Sequence, residues 1–317
     1  MAHLRVLLGR YRGDSALVAY VDHIRDLNAD FARMWAEHPA TQVRSRAYSL
    51  HHPIVGELIL HGAAASSPTC ADSVCQNSRV RSPVVDVAVG SDTGKRYSAN
   101  FDVTYLRRQP LLAVLADGMG DGPGSAAAGR TAVDVFVDYV TRAPEPGPDM
   151  LRDAVAAAHA RVSRIGNELR TLAGCTLTAM VAAPQGCWLV QIGDSRVYRL
   201  RDGLLELLTT DHTMAWLGAV HGWYPFDSAQ AASARYQLTR YIGHGGAPEP
   251  DVLSVTMRPG DRYLLCTDGV SEQVDYGDLH TFLGRDAHPQ SVVSDLLAAS
   301  DAAGGSDNAT AIVIRVD

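Results

Sequence analysis

The sequence predicts an α+β fold built in layers rather than a doubly wound parallel sheet, and three observations carry that expectation. Short apolar runs recur from Val84 onward, bounded by Gly, Asp or Pro as strands are: "VVDVAVGS", "LLAVLA", "TLTAMVAA", "CWLVQIG", "RVYRLRDG", "DRYLLCT" and "NATAIVIRV". Stretches with helical spacing, "GRTAVDVFVDYVTRA", "DMLRDAVAAAHARVSRIGNELRT" and "PQSVVSDLLAASDA", stand between groups of these runs instead of alternating with them. In "WLVQIGDSRVYRLRDGLLELL", successive runs meet across turns too short for a helical crossover, which reads as antiparallel hairpins.

Ahead of these elements, residues 14–38 carry Leu17, Val18, Val21, Ile24, Leu27, Phe31 and Met34 at helical spacing, so one or two amphipathic helices are expected there. "HHPIVGELILHG" reads as a strand pair or short hairpin. "AAASSPTCADSVCQNSRVRSP", from Ala63, is small and polar like a linker. The expected organisation is a small helical and strand module over residues 1–62, a linker over 63–81 and a larger domain over 82–317.

Composition narrows the function classes. With 317 residues, 46% of them apolar, the chain can bury a full core. A net charge of −7 supplies no general basic surface, so nucleic acid is not an expected partner. No run approaches the roughly 20 apolar residues of a membrane span, and the N-terminal apolar run is too short for a secretory signal, so a cytoplasmic protein off the membrane is expected. Five scattered cysteines, an odd number, argue for reduced thiols. Cys70 and Cys75 have no second Cys or His pair at zinc spacing and read as incidental linker residues.

The chemistry is concentrated in aspartates at strand ends. "LLAVLADGMGDGPGS" runs apolar from Leu111 to Ala116 and then places Asp117 before Gly118 and Gly120. The arrangement returns at Asp194 in "LVQIGDSRV", Asp268 in "YLLCTDGVSE", Asp307 in "GGSDNATAIVIRV" and Asp102 in "YSANFDV". One such residue is usually a turn former, because Asp bonds its own downstream backbone. Several carboxylates at one end of a sheet repel one another unless a cation neutralises them, and an all-oxygen site suits Mg²⁺ or Mn²⁺. Gly118 and Gly269 permit close backbone approach, so a carbonyl can join the ligands. Two hard divalent ions side by side serve an in-line attack of water on phosphorus. The chain carries no G-x-S-x-G elbow and no Lys-Ser/Thr phosphate loop after "GMGDGPG", so no covalent nucleophile is evident.

Ordered blocks over residues 82–317 resemble the metal-dependent type 2C serine/threonine protein phosphatases in their bacterial form: "SDTGKRYSANFD", "LAVLADGMG", "GCTLTAM", "VQIGDSRVYRLRDG", "LTTDHTMAWL", "LTRYIGHGGAPEPDV", "PGDRYLLCTDGVSE" and "GGSDNATAIVIRV". The resemblance implies a four-layer β-sandwich of two antiparallel sheets flanked by helices. It implies Mn²⁺ or Mg²⁺ as cofactor, two ions with a third more weakly held, and a phosphoprotein substrate made by a serine/threonine kinase. By the same resemblance Asp117 bridges the metals, the Gly118 carbonyl serves the second metal, and Asp268 and Asp307 complete the first. Asp194 matches the aspartate of the third metal, with a structural carboxylate bonding Arg196 or the turn as the other reading. Asp102 matches the residue that holds metal-bound water.

Three positions depart from the family pattern. Phe101 stands where a carboxylate or amide usually precedes the Asp102 position. Tyr97 stands where the phosphate-binding arginine is usual; Arg96 is one residue earlier, and a one-residue bulge would restore it to a catalytic, phosphate-binding role. Asp121, in "GDGPG", replaces a usual glycine and reads as a turn residue ahead of an extra ligand. These departures keep a second reading open, a catalytically impaired phosphatase fold that binds a phosphoprotein or regulatory partner. His212 is expected to be structural, and residues 213–236 to form a flap in which Trp216, Trp223 and Tyr224 pack or face substrate.

The N-terminal segment resembles part of an MmyB-like ligand-binding domain, on "F-x-x-M-W-x-x-H" from Phe31 to His38 and "HP-x-V-G-E-L" from His52 to Leu58. That resemblance implies either a truncated module that senses a small-molecule or protein effector or an added layer on the larger domain.

Overall fold

The computed structural model describes residues 47–52, 56–61, 84–184, 186–225 and 227–317. The expected helices of residues 14–38, the linker and its Cys70 and Cys75 lie outside the described residues. The chain divides into two compact units, Met1–Asn77 and Ser78–Asp317. In the first, β1 (Ala47–His52) and β2 (Gly56–His61) pair antiparallel with His52 opposite Gly56, the short hairpin expected there.

The second unit contains two five-stranded sheets in which every neighbouring pair is antiparallel. One runs β10-β7-β6-β5-β4, made of β4 (Val103–Arg107), β5 (Leu112–Ala116), β6 (Leu177–Ala183), β7 (Gly186–Ile192) and β10 (Asp251–Val255). The other runs β3-β12-β11-β8-β9, made of β3 (Val85–Asp92), β8 (Arg196–Arg201), β9 (Leu204–Leu207), β11 (Arg262–Cys266) and β12 (Ala309–Val316). Helices α1 (Pro123–Arg142) and α2 (Pro148–Leu169) cover the first sheet, and α6 (Tyr276–Gly284) and α7 (Pro289–Ala302) cover the second. Between them in the chain come α3 (Met214–Val220), α4 (Ala229–Ala234) and the single turn α5 (Asp268–Ser271).

Side-chain alternation explains the layering. Along the run from Leu111 to Ala116, Leu112, Val114 and Ala116 pack against the helices, whereas Leu111, Ala113 and Leu115 pack against the facing sheet. All six are buried, so the run is apolar throughout instead of alternating. β12 behaves likewise, with Ala309, Ala311 and Val313 toward α6 and α7 and Ile312, Ile314 and Val316 toward the first sheet. The result is the four-layer sandwich of two antiparallel sheets flanked by helices. Among the described residues Cys175, Cys187 and Cys266 are free thiols, and no helix is long and apolar enough to cross a membrane.

Two expectations change in detail. "WLVQIGDSRVYRL" is not one hairpin, because β7 belongs to one sheet and β8 to the other; the chain crosses between sheets at Gly193, whose φ of +107° suits glycine alone, and Asp194. The hairpin is β8 with β9. Helix α1 begins at Pro123, inside the Gly-rich segment read as a turn. Proline at the first helical position lacks only an N–H that has no intrahelical partner anyway.

Candidate active site

The strand directions gather the expected aspartates. β4 begins where β5 ends, with Val103 opposite Ala116, and β11 ends where β12 begins, with Cys266 opposite Ala311. Asp102 therefore precedes β4 and Asp117 follows β5 on one sheet, Asp268 follows β11 and Asp307 precedes β12 on the other, and Asp194 sits on the crossing between sheets. Asp117, Gly118, Asp194, Asp268 and Asp307 all line a cavity of about 170 Å³, together with Tyr97, Met119, Gly120, Thr176, Tyr236, Leu238 and Asn308.

Local hydrogen bonds hold each ligand candidate. The Asp117 N–H donates to Thr176 Oγ1 at 2.9 Å, and the Thr176 N–H donates back to the Asp117 carbonyl at 2.9 Å. The Met119 N–H donates to the Gly174 carbonyl, so the chain after β5 stays stitched to the strand beside it. A Cβ on Gly118 would fall 2.9 Å from both the Phe101 and Ser125 carbonyl oxygens, which is why glycine follows Asp117. At Gly269 a Cβ would lie 2.1 Å from the Asn308 carbonyl oxygen, so the turns bearing Asp268 and Asp307 touch backbone to backbone. Thr267 Oγ1 donates to Asp102 Oδ2 at 3.0 Å and accepts from the Thr310 N–H at 3.0 Å, linking Asp102 across the two sheets.

The electrostatics show five carboxyls in mutual tension. Burial, then Asp102, Asp268, Asp194 and Asp307, push the Asp117 carboxyl well above the usual carboxylate range. Asp268 rises to about 7 through burial and then Asp307 and Glu272, although its contact with the Asp117 side chain opposes the rise. Asp102 is pushed up to about 8, by burial first and more weakly by Asp268 and Asp307, against the hydrogen bonds from Thr310 and Thr267. Burial and then Asp268 raise Asp194, and burial raises Asp307, which the Asn308 N–H and Arg96 moderate. Buried carboxylates this close require shared protons or a cation.

The donor set fits a hard divalent ion. Asp102 Oδ1 and Asp268 Oδ1 are buried without a hydrogen-bond partner among the described residues, lone pairs that a positive charge would satisfy. Among the described residues no three or more His, Cys, Asp or Glu side chains are arranged as a set that would hold a metal ion by themselves. Mg²⁺-like ions do not need one, since they are held by one or two carboxylates and keep several waters. The Asp117 and Asp268 pair and the Gly118 carbonyl supply that kind of partial set.

The remaining candidates sort themselves by position. Arg196 does not pair with Asp194; its guanidinium takes Asp211 through Nε at 3.0 Å and Nη2 at 2.6 Å, leaving Asp194 facing the cavity. His212 is structural: Nδ1 accepts from the Gly193 N–H at 3.1 Å and Nε2 lies 3.2 Å from Asp251 Oδ2, which fixes the crossing between sheets. Asp121 is exposed on the turn before α1 and does not line the cavity. Arg96 is exposed on the turn after β3, its guanidinium 5.1 Å from the Tyr97 ring centre, and it is Tyr97 that faces the cavity. Phe101 is 8% exposed and packs edge-on to Tyr97, with ring centres 6.3 Å apart.

Residues 213–236 hold α3 and α4, and the Tyr224 hydroxyl donates to the Met214 carbonyl at 2.5 Å beneath Gly218, a packing role. Trp216 and the more exposed Trp223 do not line the cavity, whereas Tyr236 and Leu238, just beyond α4, do. Neither had a signal in the sequence, because their approach to Met119 and Asp117 is a long-range contact without a local pattern.

Comparison with known proteins gives matches in both units of the chain. Residues 99–300 match the family described as Protein phosphatase 2C, and residues 1–75 match the MmyB-like transcription regulator ligand binding domain. The chain is similar to the serine/threonine protein phosphatase PstP of Mycobacterium tuberculosis, with 34% identity over 242 residues that cover 74% of this chain and 45% of that protein, so it spans less than half of that relative's length. It resembles the crystal structure of the PPM Ser-Thr phosphatase MsPP from Mycobacterium smegmatis in complex with cacodylate, at 33% identity and TM-score 0.67, over 74% of this chain and 100% of that one. It also resembles the PstP catalytic domain in complex with two manganese ions, at 30% identity and TM-score 0.65, over 74% and 99% of the two chains.

Proposed function

The chain belongs to the protein phosphatase 2C family, and from that membership we propose that residues 82–317 form a metal-dependent hydrolase of phosphoserine and phosphothreonine in proteins. The observation that carries the proposal is the convergence of Asp117, Asp194, Asp268 and Asp307, drawn from both sheets, on one cavity, with Asp268 Oδ1 left without a hydrogen-bond partner among the described residues. Asp117, Asp268, Asp307 and the Gly118 carbonyl would hold two Mn²⁺ or Mg²⁺ ions, and Asp194 would serve a third, weaker one; the two manganese ions bound by the PstP catalytic domain support this number. Such ions supply charge neutralisation at phosphorus and the acidity that makes water a nucleophile at neutral pH.

The chain's own side chains position rather than attack. Among the lining residues no Ser, Cys, His or Lys offers a nucleophile, and the Thr176 hydroxyl is committed to the Asp117 N–H and, at 2.9 Å, to Ser195 Oγ. Water, activated by the ions, is the proposed attacking species. Asp102 is held by Thr267 through Oδ2 and keeps Oδ1 uncommitted, so it can accept a hydrogen bond from a water in the site and orient it. The substrate is read as a phosphoprotein made by a serine/threonine kinase, the location as cytoplasmic, and residues 1–62 as a module for a small-molecule or protein effector, supported by the MmyB-like match.

The test is hydrolysis of a phosphothreonine peptide by the full chain against a Mn²⁺ titration, with Asp117→Asn beside it. Metal-dependent turnover that disappears in Asp117→Asn is expected. Turnover that survives in Asp117→Asn sinks the mechanism, and none at any Mn²⁺ concentration favours the impaired, phosphoprotein-binding reading instead.

A further inference from the structure

We propose that the Tyr97 hydroxyl, rather than the Arg96 guanidinium, is the side-chain donor that receives the phosphoryl group of the substrate. The inference rests on the hydrolase reading above and names the residue that orients phosphate at its site.

The donor inventory of the cavity leads to it. Among the described residues no Lys or Arg lines the cavity, although phosphate is usually met by a guanidinium fork. Of the neutral donors, Thr176 is committed as described, and Asn308 Nδ2 donates to the Thr93 and Ala99 carbonyls at 2.8 and 3.1 Å. The phenols of Tyr97 and Tyr236 are left. Tyr236 is 71% exposed at the end of the flap, so holding it against a ligand costs rotamer freedom. Tyr97 is half-buried, and among the described residues no hydrogen bond engages its hydroxyl.

Tyr97 is also held in advance. Its loop is tied at one end by the Lys95 N–H to the Gly305 carbonyl at 2.7 Å and by Lys95 Nζ to Asp301 Oδ1 at 2.8 Å. At the other end Asn308 Oδ1 accepts from the Phe101 N–H at 2.8 Å, and the Phe101 ring braces the Tyr97 ring edge-on at an interplanar angle of 82°. A donor fixed before the ligand arrives loses little entropy on binding. The Arg96 guanidinium, 5.1 Å from the ring centre, partly offsets the burial and the Asp307 charge that push the Tyr97 phenol up.

The acidic lining gives a reason for a neutral donor. In this lining a guanidinium would be drawn to Asp307 and Asp268 as well as to phosphate. A phenol has no charge to be captured, so it can meet the phosphoryl oxygens and leave the carboxylates to the ions. About 170 Å³ is the share of several waters, enough for a phosphoryl group with part of its hydration.

The experiment is calorimetric binding of inorganic phosphate, with Mn²⁺ present, to the full chain and to Tyr97→Phe and Arg96→Ala, followed by steady-state hydrolysis of p-nitrophenyl phosphate. Tyr97→Phe keeps the ring and its packing and removes one hydrogen bond to a charged group, so phosphate affinity should fall about tenfold. KM should rise by a similar factor with kcat changing less than about threefold, the split expected of lost ground-state and transition-state binding together. Arg96→Ala should weaken phosphate by about twofold. Unchanged phosphate affinity in Tyr97→Phe, a larger loss in Arg96→Ala, or no phosphate binding by the unaltered chain overturns the proposal. If the unaltered chain binds phosphate through Tyr97 but turns nothing over, the hydrolase reading fails while the assignment of Tyr97 stands.

Discussion

Replacing Asn308 by alanine should both destabilise the second unit and weaken its site, because one 4% exposed side chain ties three points of the Tyr97 loop to the start of β12. The Phe101 N–H, on a buried residue, would lose its acceptor, and leaving such a donor unpaired costs about 1–3 kcal/mol. The hydrogen bonds to the Thr93 and Ala99 carbonyls are part-buried and near the exposed end of the loop, where water can partly replace Nδ2, so they add about 0.5 kcal/mol each. The expected total is about 2–4 kcal/mol, which for a unit of this size lowers the melting temperature by about 4–12 °C. Asn308→Asp is the discriminating partner. It preserves Oδ1 for Phe101 but turns an oxygen toward two carbonyls, so it should be no better than alanine despite its matching shape. Differential scanning calorimetry of the full chain, with phosphate binding measured on the same samples, reads both effects. A melting temperature for Asn308→Ala within about 1 °C of the unaltered chain would refute the reasoning.

Asp261→Ala should cost about 3 kcal/mol by thermal unfolding, because the 16% exposed Arg201 side chain loses its two carboxylate bonds, at 2.7 and 2.6 Å, and keeps the Thr256 carbonyl, while the buried Tyr263 hydroxyl loses its acceptor. Burial raises the Asp261 carboxyl, but Arg201, the Arg258 N–H and Tyr263 outweigh it and hold the group below its usual value; its stabilisation is therefore full above about pH 4 and lost on acidification, and acid unfolding of Asp261→Asn should show a shallower dependence on pH there. Gly269→Ala forces a Cβ to within 2.1 Å of the Asn308 carbonyl oxygen, so it should lower the melting temperature and abolish the Mn²⁺-dependent rise, while an unchanged response to Mn²⁺ would show that the two turns can part freely. Asp268→Asn should melt higher than the unaltered chain in EDTA, by relief of carboxylate crowding, and lower in saturating Mn²⁺, where the unaltered chain gains about 2.7 kcal/mol at a hundredfold excess over Kd; the same order of melting in both buffers would contradict this.

The parts of the fold that could be read from the sequence are those whose burial is symmetric. β5, β6, β11 and β12 are packed on both faces, so they carry dense apolar runs, unbroken in β5 and interrupted in the others only by Thr178, Arg262, Thr310 and Arg315, and announce themselves. β4 and β10 are the edges of their sheet, and "VTYLR" and "DVLSV" carry too few buried positions to stand out. The crossing at Gly193 misleads because a glycine turn between two apolar runs looks the same whether the chain returns to its own sheet or enters the facing one. At the site, Asp117, Asp194, Asp268 and Asp307 were legible because strand ends place them, whereas Tyr236 and Leu238 reach the cavity from a flap whose register no local pattern records. Arg96 and Tyr97 differ by one position on a turn, and only the turn's geometry decides which of them faces inward.

The origin of the carboxylates says more about the site than their number does. Asp102 and Asp117 belong to one sheet, Asp268 and Asp307 to the other, and Asp194 to the crossing between them, so their repulsion acts across the seam of the sandwich. The apolar filling of that seam, Leu115, Met180, Leu189, Tyr263, Leu265 and Ile312, holds the sheets together against it. Direct bonds also span the seam at the same end, where Thr267 of the second sheet donates to Asp102 of the first and Asn308 accepts from Phe101. The core therefore fixes the carboxylates at a separation that they would not keep by themselves, and the energy stored in that crowding is released when a divalent ion enters. If a divalent ion relieves that crowding, neutralising one carboxylate should stabilise the ion-free protein and weaken the loaded one together.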